Sequence, residues 1–414
     1  MQFNLINDKK YFIIEYINNE NKNSDNPLVG YREEGDSPII KLLDNRIKFD
    51  YIPKKIHPDI LAFICIIIFY PFLSPEKDIT FPTKVSQKLA LELRQALPKE
   101  LIVKNESIDY DLQPYIGKKG SILSFGGGID SLALFSLFPN ITLVHEALLN
   151  EDNTGIKTLI QKIDEYKDCN NNRKSYIIAS NSKNITDPPG WPTWIACIAT
   201  SLLLCSSLGI SNIVLGSSMG SLPKSFTISP WKTLFKNAVN INIVTPILGL
   251  SELALVRLID TRLLDYAIWC NKADNNDNCN KCVKCFRRSL LVADYYNDLA
   301  ILDWSGFNNY NVNRMLRKVR QTLSQNIYDR ELGLSLLYLL FKHKKHLPNW
   351  IKLYLMNNDN SYNIDFLSES WYQKSLLYVP ESLQNYVYNR ITEKVRIMSI
   401  EEIKIFETLT KIST

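Results

Sequence analysis

A strand, a glycine-rich turn and a helix follow one another directly, and this order constrains the fold more than any other feature. The apolar run Ser121–Phe125 has strand character, the turn is Gly126-Gly127-Gly128-Ile129-Asp130-Ser131, and Leu132–Leu137 has helical character. Glycines let the backbone turn without a Cβ clash, so successive N–H groups can point inward. The start of the helix adds unpaired donors and a partial positive charge. The sequence therefore predicts a site for a phosphate or pyrophosphate, and hence for a nucleotide.

A glycine turn without a ligand is the alternative interpretation, in which Asp130 would only cap the helix. The pair Asp130-Ser131 at the start of the helix favours phosphate binding in this strand–helix context. The turn matches neither of the two commonest phosphate loops, because it lacks both a Gly-Lys-Ser/Thr ending and the Gly-x-Gly-x-x-Gly spacing.

Strand and helix patterns alternate from residue 116 to residue 300. Strands are expected at 121–125, 141–146, 175–179, 212–215 and 242–245, and helices at 131–138, 154–167, 192–208 and 251–266. This order predicts an α/β fold with a doubly wound parallel sheet covered on both faces. Ligands of such sheets bind at the carboxyl ends of the strands. The glycine turn, Gly216-Ser217-Ser218 and Asn181-Ser182 follow strands, and we expect them to converge there.

The flanking segments have different patterns. Residues 1–115 are predicted to form an α+β domain, with strands at Phe12–Ile17 and Arg46–Tyr51, a buried helix at Pro58–Tyr70 and an amphipathic helix at Val85–Leu97. Residues 301–414 are predicted to form a helical C-terminal region, with helices such as Arg330–Lys342 and Glu401–Leu409. We therefore expect three units, at 1–115, 116–300 and 301–414.

The composition argues against nucleic acids and membranes as partners. A net charge of +5 over 414 residues, with dispersed basic residues, makes a nucleic-acid partner unfavoured. The longest apolar run, Ile60–Phe72, is too short to span a bilayer, and the N-terminus lacks the basic and apolar segments of a signal peptide. We therefore expect a cytoplasmic protein with no membrane partner.

Four of the eight cysteines form the second strong signal. Cys270, Cys279, Cys282 and Cys285 follow the pattern Cys-x8-Cys-x2-Cys-x2-Cys, and we call them the cysteine cluster. Two-residue spacers let thiolates converge on one tetrahedral ion, and clustered cysteines in a cytosolic chain favour a metal over disulfides. We expect a structural Zn²⁺, because four thiolates leave no open position for catalysis. An iron–sulfur cluster and free or redox-active thiols remain as alternatives.

Basic residues surround the cysteine cluster, namely Lys281, Lys284, Arg287 and Arg288. They can compensate the negative charge of a zinc–thiolate centre. Alternatively, they can form a positive rim that faces a nucleotide or an acidic substrate.

The glycine turn, the alternating strands and the cysteine cluster, in this order, resemble the PP-loop ATP pyrophosphatase superfamily, whose sheet is of the adenine nucleotide alpha hydrolase type. Within it, the chain is most similar to the branch of 7-cyano-7-deazaguanine synthase (QueC). The superfamily loop is Ser-Gly-Gly-x-Asp-Ser, and here it is Gly126-Gly127-Gly128-Ile129-Asp130-Ser131. The branch also has a strand that ends in glycine, here Ile213–Gly216, and a Thr-Pro segment before a helix, here Thr245-Pro246 before Ser251–Leu253. The resemblance covers about 116–290.

The resemblance implies an enzyme that binds ATP and Mg²⁺, adenylates an acceptor and releases pyrophosphate and then AMP. It implies catalytic roles for Asp130, which would help to hold Mg²⁺, and Ser131, which would bond a phosphate oxygen. The nucleotide would lie on residues at the strand ends and in the loop, namely Ser124, Gly126, Gly127, Gly128, Asp130, Ser131, Gly216 and Ser217. The acceptor would be a small molecule or a protein terminus. Long QueC-like proteins occur in anti-phage defence operons, which implies a partner subunit from the same operon.

The chain departs from this branch at three places. Gly126 replaces the first serine of the loop, Pro188–Trp194 contains no Arg-Asn pair, and Ser225–Trp231 replaces a Tyr-Pro-Asp-Cys-Arg segment. The resemblance thus implies that the ATP half of the site is retained and that the deazaguanine half is changed. The two tryptophans, Trp191 and Trp194, are either core residues or a surface for a planar substrate. A PP-loop epimerase of a cell-wall precursor, a tRNA sulfurtransferase and a non-catalytic nucleotide-binding scaffold remain as alternative functions.

Overall fold

The computed structural model describes residues 1–18, 28–32, 39–75, 77–118, 120–151, 153–165, 173–219, 229–267, 283–298, 336, 338–347, 349, 352 and 365–410. In these ranges the strands are β1 (Gln2–Asn7), β2 (Phe12–Ile17), β3 (Val29–Tyr31), β4 (Ile39–Leu42), β5 (Arg46–Phe49), β6 (Val85–Ser86), β7 (Ile108–Asp109), β8 (Gly120–Ser124), β9 (Thr142–Leu148), β10 (Ser175–Ser180), β11 (Thr186–Asp187), β12 (Ile210–Leu215), β13 (Asn242–Val244), β14 (Ser370–Trp371) and β15 (Arg396–Ile397). The helices are α1 (Pro58–Phe69), α2 (Gln87–Gln95), α3 (Ile129–Leu137), α4 (Thr154–Glu165), α5 (Ala199–Leu208), α6 (Pro230–Val239), α7 (Glu252–Leu258), α8 (Thr261–Leu264), α9 (Val283–Tyr296), α10 (Glu381–Thr392) and α11 (Ile400–Thr410).

Eight of the described strands form one mostly parallel sheet, in the order β1-β2-β5-β10-β9-β8-β12-β13. Strands β10, β9, β8, β12 and β13 are parallel, and β5, β2 and β1 continue the sheet in antiparallel fashion. The predicted α/β class is confirmed. Each of the five strands predicted between 116 and 300 is present, with its ends within two residues of the prediction.

The five parallel strands form because their side chains are apolar on both faces. Ile122 of β8 and Ile213 of β12 belong to one apolar core, which contains side chains of α1, α5 and α6. Their neighbours Leu123 and Val214 belong to a second core, which contains side chains of α3, α7 and α9. Adjacent residues of a strand point to opposite faces, so each strand serves both cores.

Within the five parallel strands, the path of the chain through the sheet reverses once. From β8 it proceeds to β9 and β10 on one side, and it then returns to place β12 and β13 on the other side of β8. In open α/β sheets, ligands bind outside the carboxyl ends of the strands at such a reversal. The fold therefore predicts a ligand site at the loops that follow β8 and β12.

The N-terminal segment is part of the same sheet. β5 pairs with β10 through Phe49 and Ser180, and β4 pairs with β11 in a separate three-stranded sheet. Side chains from both sides of residue 115 fill one core, from Phe3 to Ile243. In the described chain, the predicted domain boundary near residue 115 therefore separates two sequence patterns and not two cores.

The described C-terminal residues pack against the loop that precedes α7. The backbone N–H of Tyr372 donates to the carbonyl of Gly249 at 3.0 Å, and Trp371 is fully buried in the second core. The helix predicted at Glu401–Leu409 is confirmed as part of α11, whereas much of Arg330–Lys342 lies outside the described residues. None of the helices in the described ranges is long and apolar enough to cross a membrane.

Candidate functional site

A cavity of about 740 Å³ opens at the carboxyl ends of β8, β9 and β12, where the order of the sheet reverses. Its volume lies within the range of roughly 300–1,000 Å³ that is common for ligand sites. The cavity is lined by seven of the eight residues predicted to bind the nucleotide, namely Ser124, Gly126, Gly128, Asp130, Ser131, Gly216 and Ser217. The eighth, Gly127, lies inside the turn between two of them.

The turn closes on itself through one hydrogen bond. Gly127 has a φ of 77°, which favours glycine, and Gly128 caps α3 with its backbone alone. The backbone N–H of Gly126 donates to the Oγ of Ser131 at 2.9 Å. The hydroxyl proton of Ser131 is left to donate to a ligand, and the N–H groups in the first turn of α3 have no carbonyl four residues earlier in the helix.

Two glycines of the cavity differ in how much space surrounds them. A Cβ on Gly216 would lie 2.9 Å from the Cβ of Asp130, which is closer than real Cβ atoms approach. A Cβ on Gly126 would meet only the Ser131 Oγ at 3.5 Å, an ordinary contact. Gly216 is therefore required for the close approach of β12 to the start of α3, whereas the space around Gly126 admits a serine.

Asp130 is an acid of the cavity with an unsatisfied oxygen. Its Oδ1 atom is buried and accepts no hydrogen bond from the described residues. Burial and, to a lesser degree, the charge of Glu252 raise the pKa of Asp130 to about 7, while Arg287 opposes both effects. A buried carboxylate without a hydrogen-bond donor is stabilised either by binding a cation or by taking up a proton.

Glu252 and Arg287 reach the same part of the cavity from distant positions in the sequence. Glu252 begins α7, directly after the helix cap Ser251, and Arg287 comes from α9. The Nε of Arg287 lies 2.9 Å from the Oε2 of Glu252. Arg287 is one of the four basic residues near the cysteine cluster, and it lines the cavity. This position agrees with the alternative in which these residues form a positive rim that faces a ligand. We call Asp130, Glu252 and Arg287 the Asp130 end of the cavity.

A second group of polar residues lines the cavity beyond β9. Glu146 of β9 is buried, and its Oε1 accepts from the hydroxyls of Ser180, at 2.5 Å, and Ser182. Its Oε2 accepts from the indole N–H of Trp191 at 3.1 Å, and the Lys183 ammonium lies 4.4 Å from the centre of the Trp191 ring. Sequence reasoning missed Glu146, although a carboxylate within a mostly apolar strand is itself a signal.

The backbone around Trp191 is attached to the N-terminal segment by Arg32. The guanidinium of Arg32 donates to the carbonyl of Pro188 at 2.7 Å and to the Thr186 hydroxyl at 3.3 Å, and it also lines the cavity. Burial lowers the pKa of Arg32. We call Arg32, Glu146, Lys183 and Trp191 the Trp191 end of the cavity.

Two further side chains lie between the ends. The Nδ1–H of His145 donates to the carbonyl of Phe125 at 2.7 Å, and burial lowers the pKa of this histidine to about 4, so it is neutral at physiological pH. Burial and the charge of Glu146 raise the pKa of Cys197 to about 12. The Ser124 hydroxyl donates to the Cys197 carbonyl at 3.0 Å, and its oxygen is available to a ligand as an acceptor only.

The cysteine cluster falls largely outside the described residues. Cys285 is buried on α9, two residues before Arg287, whereas Cys270, Cys279 and Cys282 lie outside the described ranges. Among the described residues, no group of three or more His, Cys, Asp or Glu side chains is placed to hold a metal ion. The predicted Zn²⁺ site stays a prediction.

Comparison with known families yields one match. Residues 230–410 match a family described as a family of unknown function, DUF6395. No curated protein matches the chain. The matched segment contains Glu252 and Arg287 but begins after the glycine turn, so it covers only part of the cavity.

Proposed function

We propose that this chain is an AMP-forming enzyme of the PP-loop type, which binds ATP with Mg²⁺ and adenylates a carboxylate or amide acceptor. The observation that carries the proposal is Asp130, which lines the cavity beside a glycine turn and whose buried Oδ1 has no hydrogen-bond partner among the described residues. A structural cap would accept a hydrogen bond from its own helix. Gly128 occupies the cap position of α3 instead.

The anionic part of a nucleotide suits the surroundings of the glycine turn. The first turn of α3 presents backbone N–H groups and the positive end of the helix dipole. Arg287 adds a positive charge to the same end of the cavity. Gly216 supports the proposal because its lack of a Cβ keeps the loop after β12 close to the start of α3.

The residues present fit a hard divalent cation. Mg²⁺ prefers oxygen ligands and is commonly held by one or two carboxylates together with substrate phosphates. The Oδ1 of Asp130 would hold it, and Glu252 would add negative charge nearby. When bound, Mg²⁺ supplies charge neutralisation on the phosphates.

The proposed chemistry has two steps. In the first, an oxygen of the acceptor attacks the α-phosphorus of ATP, a P–O bond forms, and the bond to pyrophosphate breaks. In the second, ammonia, an amine or sulfide attacks the activated carbon, and AMP leaves with the bonding electrons of the C–O bond. Backbone donors and Arg287 would stabilise the charge that develops on the phosphates.

The remaining parts of the proposal extend from the resemblance. The cysteine cluster would hold a structural Zn²⁺ beside α9 and thereby fix Arg287. The protein would be cytoplasmic, and it would act on a small molecule or a protein terminus with a partner subunit, within an anti-phage defence system.

Product analysis tests the proposal. Purified protein is incubated with Mg²⁺, ATP labelled at the α-phosphate and the small-molecule fraction of a host-cell extract. Asp130→Asn, which keeps the shape of the side chain, serves as the test variant. Asp111→Asn, at an exposed position whose carboxylate accepts no hydrogen bond and forms no ion pair among the described residues, serves as the matched control. The expected products are AMP and pyrophosphate, formed by the wild type and the control and lost in Asp130→Asn.

Formation of ADP and phosphate instead of AMP would contradict adenylation. AMP formation that Asp130→Asn leaves unchanged would remove Asp130 from the proposed role. Tight ATP binding without AMP formation, with and without the extract, would favour the nucleotide-binding scaffold over the enzyme.

A further inference from the structure

The cavity separates its charges between its two ends. Arg287 and Glu252 form an ion pair at the Asp130 end, whereas the Lys183 ammonium lies against the Trp191 ring at the other end. The Asp130 end therefore carries two acids and one base. The Trp191 end carries two bases, Arg32 and Lys183, and one acid, Glu146, so its net charge is positive because His145 is neutral.

The single acid of the Trp191 end is already satisfied by neutral donors. Both oxygens of Glu146 accept hydrogen bonds, one from two serine hydroxyls and the other from the indole of Trp191. Within the described residues, neither Lys183 nor Arg32 forms an ion pair with a carboxylate. Two cations that face a cavity without paired carboxylates attract an anion, and a guanidinium suits a carboxylate or a phosphate especially well.

The same end offers a flat apolar surface of fixed orientation. The hydrogen bond to Glu146 holds the indole of Trp191, and Glu146 is itself held by two serines. The Lys183 ammonium lies against one part of the ring, 4.4 Å from its centre, but Trp191 is 37% exposed, so another part of the ring remains available for contact. A held aromatic ring favours the stacking of a planar group at low entropic cost.

The N-terminal segment shapes this end of the cavity. β4 pairs with β11, and Arg32 binds the carbonyl of Pro188, three residues before Trp191. A Cβ on Gly190 would lie 3.4 Å from the Arg32 guanidinium, and the φ of Gly190 is 140°, so Arg32 lies close against this loop. Arg32, which directly follows β3, thus links the three-stranded sheet to the wall of the cavity.

We propose that the Trp191 end is the acceptor subsite, and that it takes a planar ring bearing a negatively charged group. The ring stacks on Trp191, and the anion lies between Lys183 and Arg32. This assignment rests on the proposed function: the Trp191 end is called the acceptor subsite because the nucleotide is assumed to fill the Asp130 end. Glu146 is a positioning residue that acts through Trp191.

Titration with matched probes tests the assignment. Calorimetry measures the binding of benzoate, phenyl phosphate and uncharged benzamide to the full chain, with and without Mg²⁺ and α,β-methylene-ATP. We expect at least one anion to bind at least tenfold more tightly than benzamide. We expect Lys183→Gln and Arg32→Gln each to weaken that anion at least fivefold. Arg46→Gln is the control, because Arg46 pairs with Glu15 away from the cavity.

Titration with α,β-methylene-ATP distinguishes failure of the acceptor subsite from failure of the proposed function. Affinity for α,β-methylene-ATP should change less than twofold in Lys183→Gln and should fall in Asp130→Asn. Failure of the wild type to bind the nucleotide would defeat the proposed function, while the probe titration without nucleotide would still report on the Trp191 end. Equal affinity for benzamide and both anions, or an anion affinity that Lys183→Gln leaves unchanged, would overturn the acceptor subsite. Loss of nucleotide affinity in Lys183→Gln would assign this end to the nucleotide instead.

Discussion

The unpartnered acid of the cavity makes a quantitative prediction about stability and pH. Asp130→Asn replaces a buried ionisable group with a neutral group of the same shape. In the unfolded chain the pKa of Asp130 returns to its ordinary value of 3.8, whereas in the folded chain burial and Glu252 raise it to about 7. The folded state therefore prefers the protonated acid. The stability that this preference contributes is complete below pH 3.8 and is lost as the pH rises through about 7.

The size of the effect follows from the shift. One pKa unit corresponds to about 1.4 kcal/mol, so a shift of about three units costs the wild type on the order of 4 kcal/mol above pH 7. At about pH 5 only part of this cost applies, on the order of 2 kcal/mol. Asp130→Asn has no ionisable group at this position, so its free energy of unfolding does not include this cost. The difference in the free energy of unfolding between Asp130→Asn and the wild type should thus increase by roughly 2 kcal/mol between pH 5 and pH 8.

Urea-induced unfolding at a series of pH values measures this difference directly. The wild type, Asp130→Asn and the surface control Asp111→Asn are compared in the same buffers. Saturating Mg²⁺ with a non-hydrolysable ATP analogue should stabilise the wild type more than Asp130→Asn at pH 8, because a bound cation favours the ionised acid. Curves for the wild type and Asp130→Asn that stay parallel within 0.5 kcal/mol from pH 5 to pH 8 would refute the reasoning about Asp130.

Three other predictions follow from the cavity and the cysteine cluster. Gly216→Ala should lower the affinity for α,β-methylene-ATP at least tenfold, because the new Cβ would lie 2.9 Å from the Cβ of Asp130, whereas Gly126→Ser should retain the affinity within threefold; equal losses in the two variants would contradict this contrast. Trp191→Phe should reduce the tryptophan emission and weaken the binding of benzoate or phenyl phosphate, while calorimetry finds nucleotide affinity unchanged; unaltered binding of both anions would speak against stacking. Metal analysis of the purified chain should find about one zinc ion per molecule, lost in a Cys282→Ser variant; iron with a visible absorption band would instead support the iron–sulfur alternative.

The central sheet could be predicted from the sequence because its signals are local. Each parallel strand is a short apolar run, such as 121–125, and each is followed by a segment with helical periodicity. The glycine turn was predicted for the same reason, since its conformation depends on the residues within it. Gly216 and Ser217 follow from the rule that ligands bind at the carboxyl ends of parallel strands.

Other parts of the fold depend on pairings that no local pattern reveals. The N-terminal strands join the central sheet through Phe49 and Ser180, which are far apart in the sequence. The partners of Glu146 come from the next strand and the loop beyond it, so its burial could be suspected but its role could not be derived. The contact of Arg287 with Glu252 likewise requires the packing of α9 against α7.

The distribution of the cavity along the chain explains why the family match does not indicate its chemistry. The matched segment, 230–410, contributes Glu252 and Arg287, which tune the pKa of Asp130. The glycine turn and Asp130 precede that segment, as do all residues of the Trp191 end. Among the described residues, the matched segment supplies only the Glu252–Arg287 ion pair to the cavity. Its sequence alone therefore does not indicate what the cavity binds. A member of that family would share this cavity only if a glycine turn with an Asp130 equivalent preceded its matched segment. A member that lacked the turn would keep a Glu–Arg pair without the acid that the pair influences.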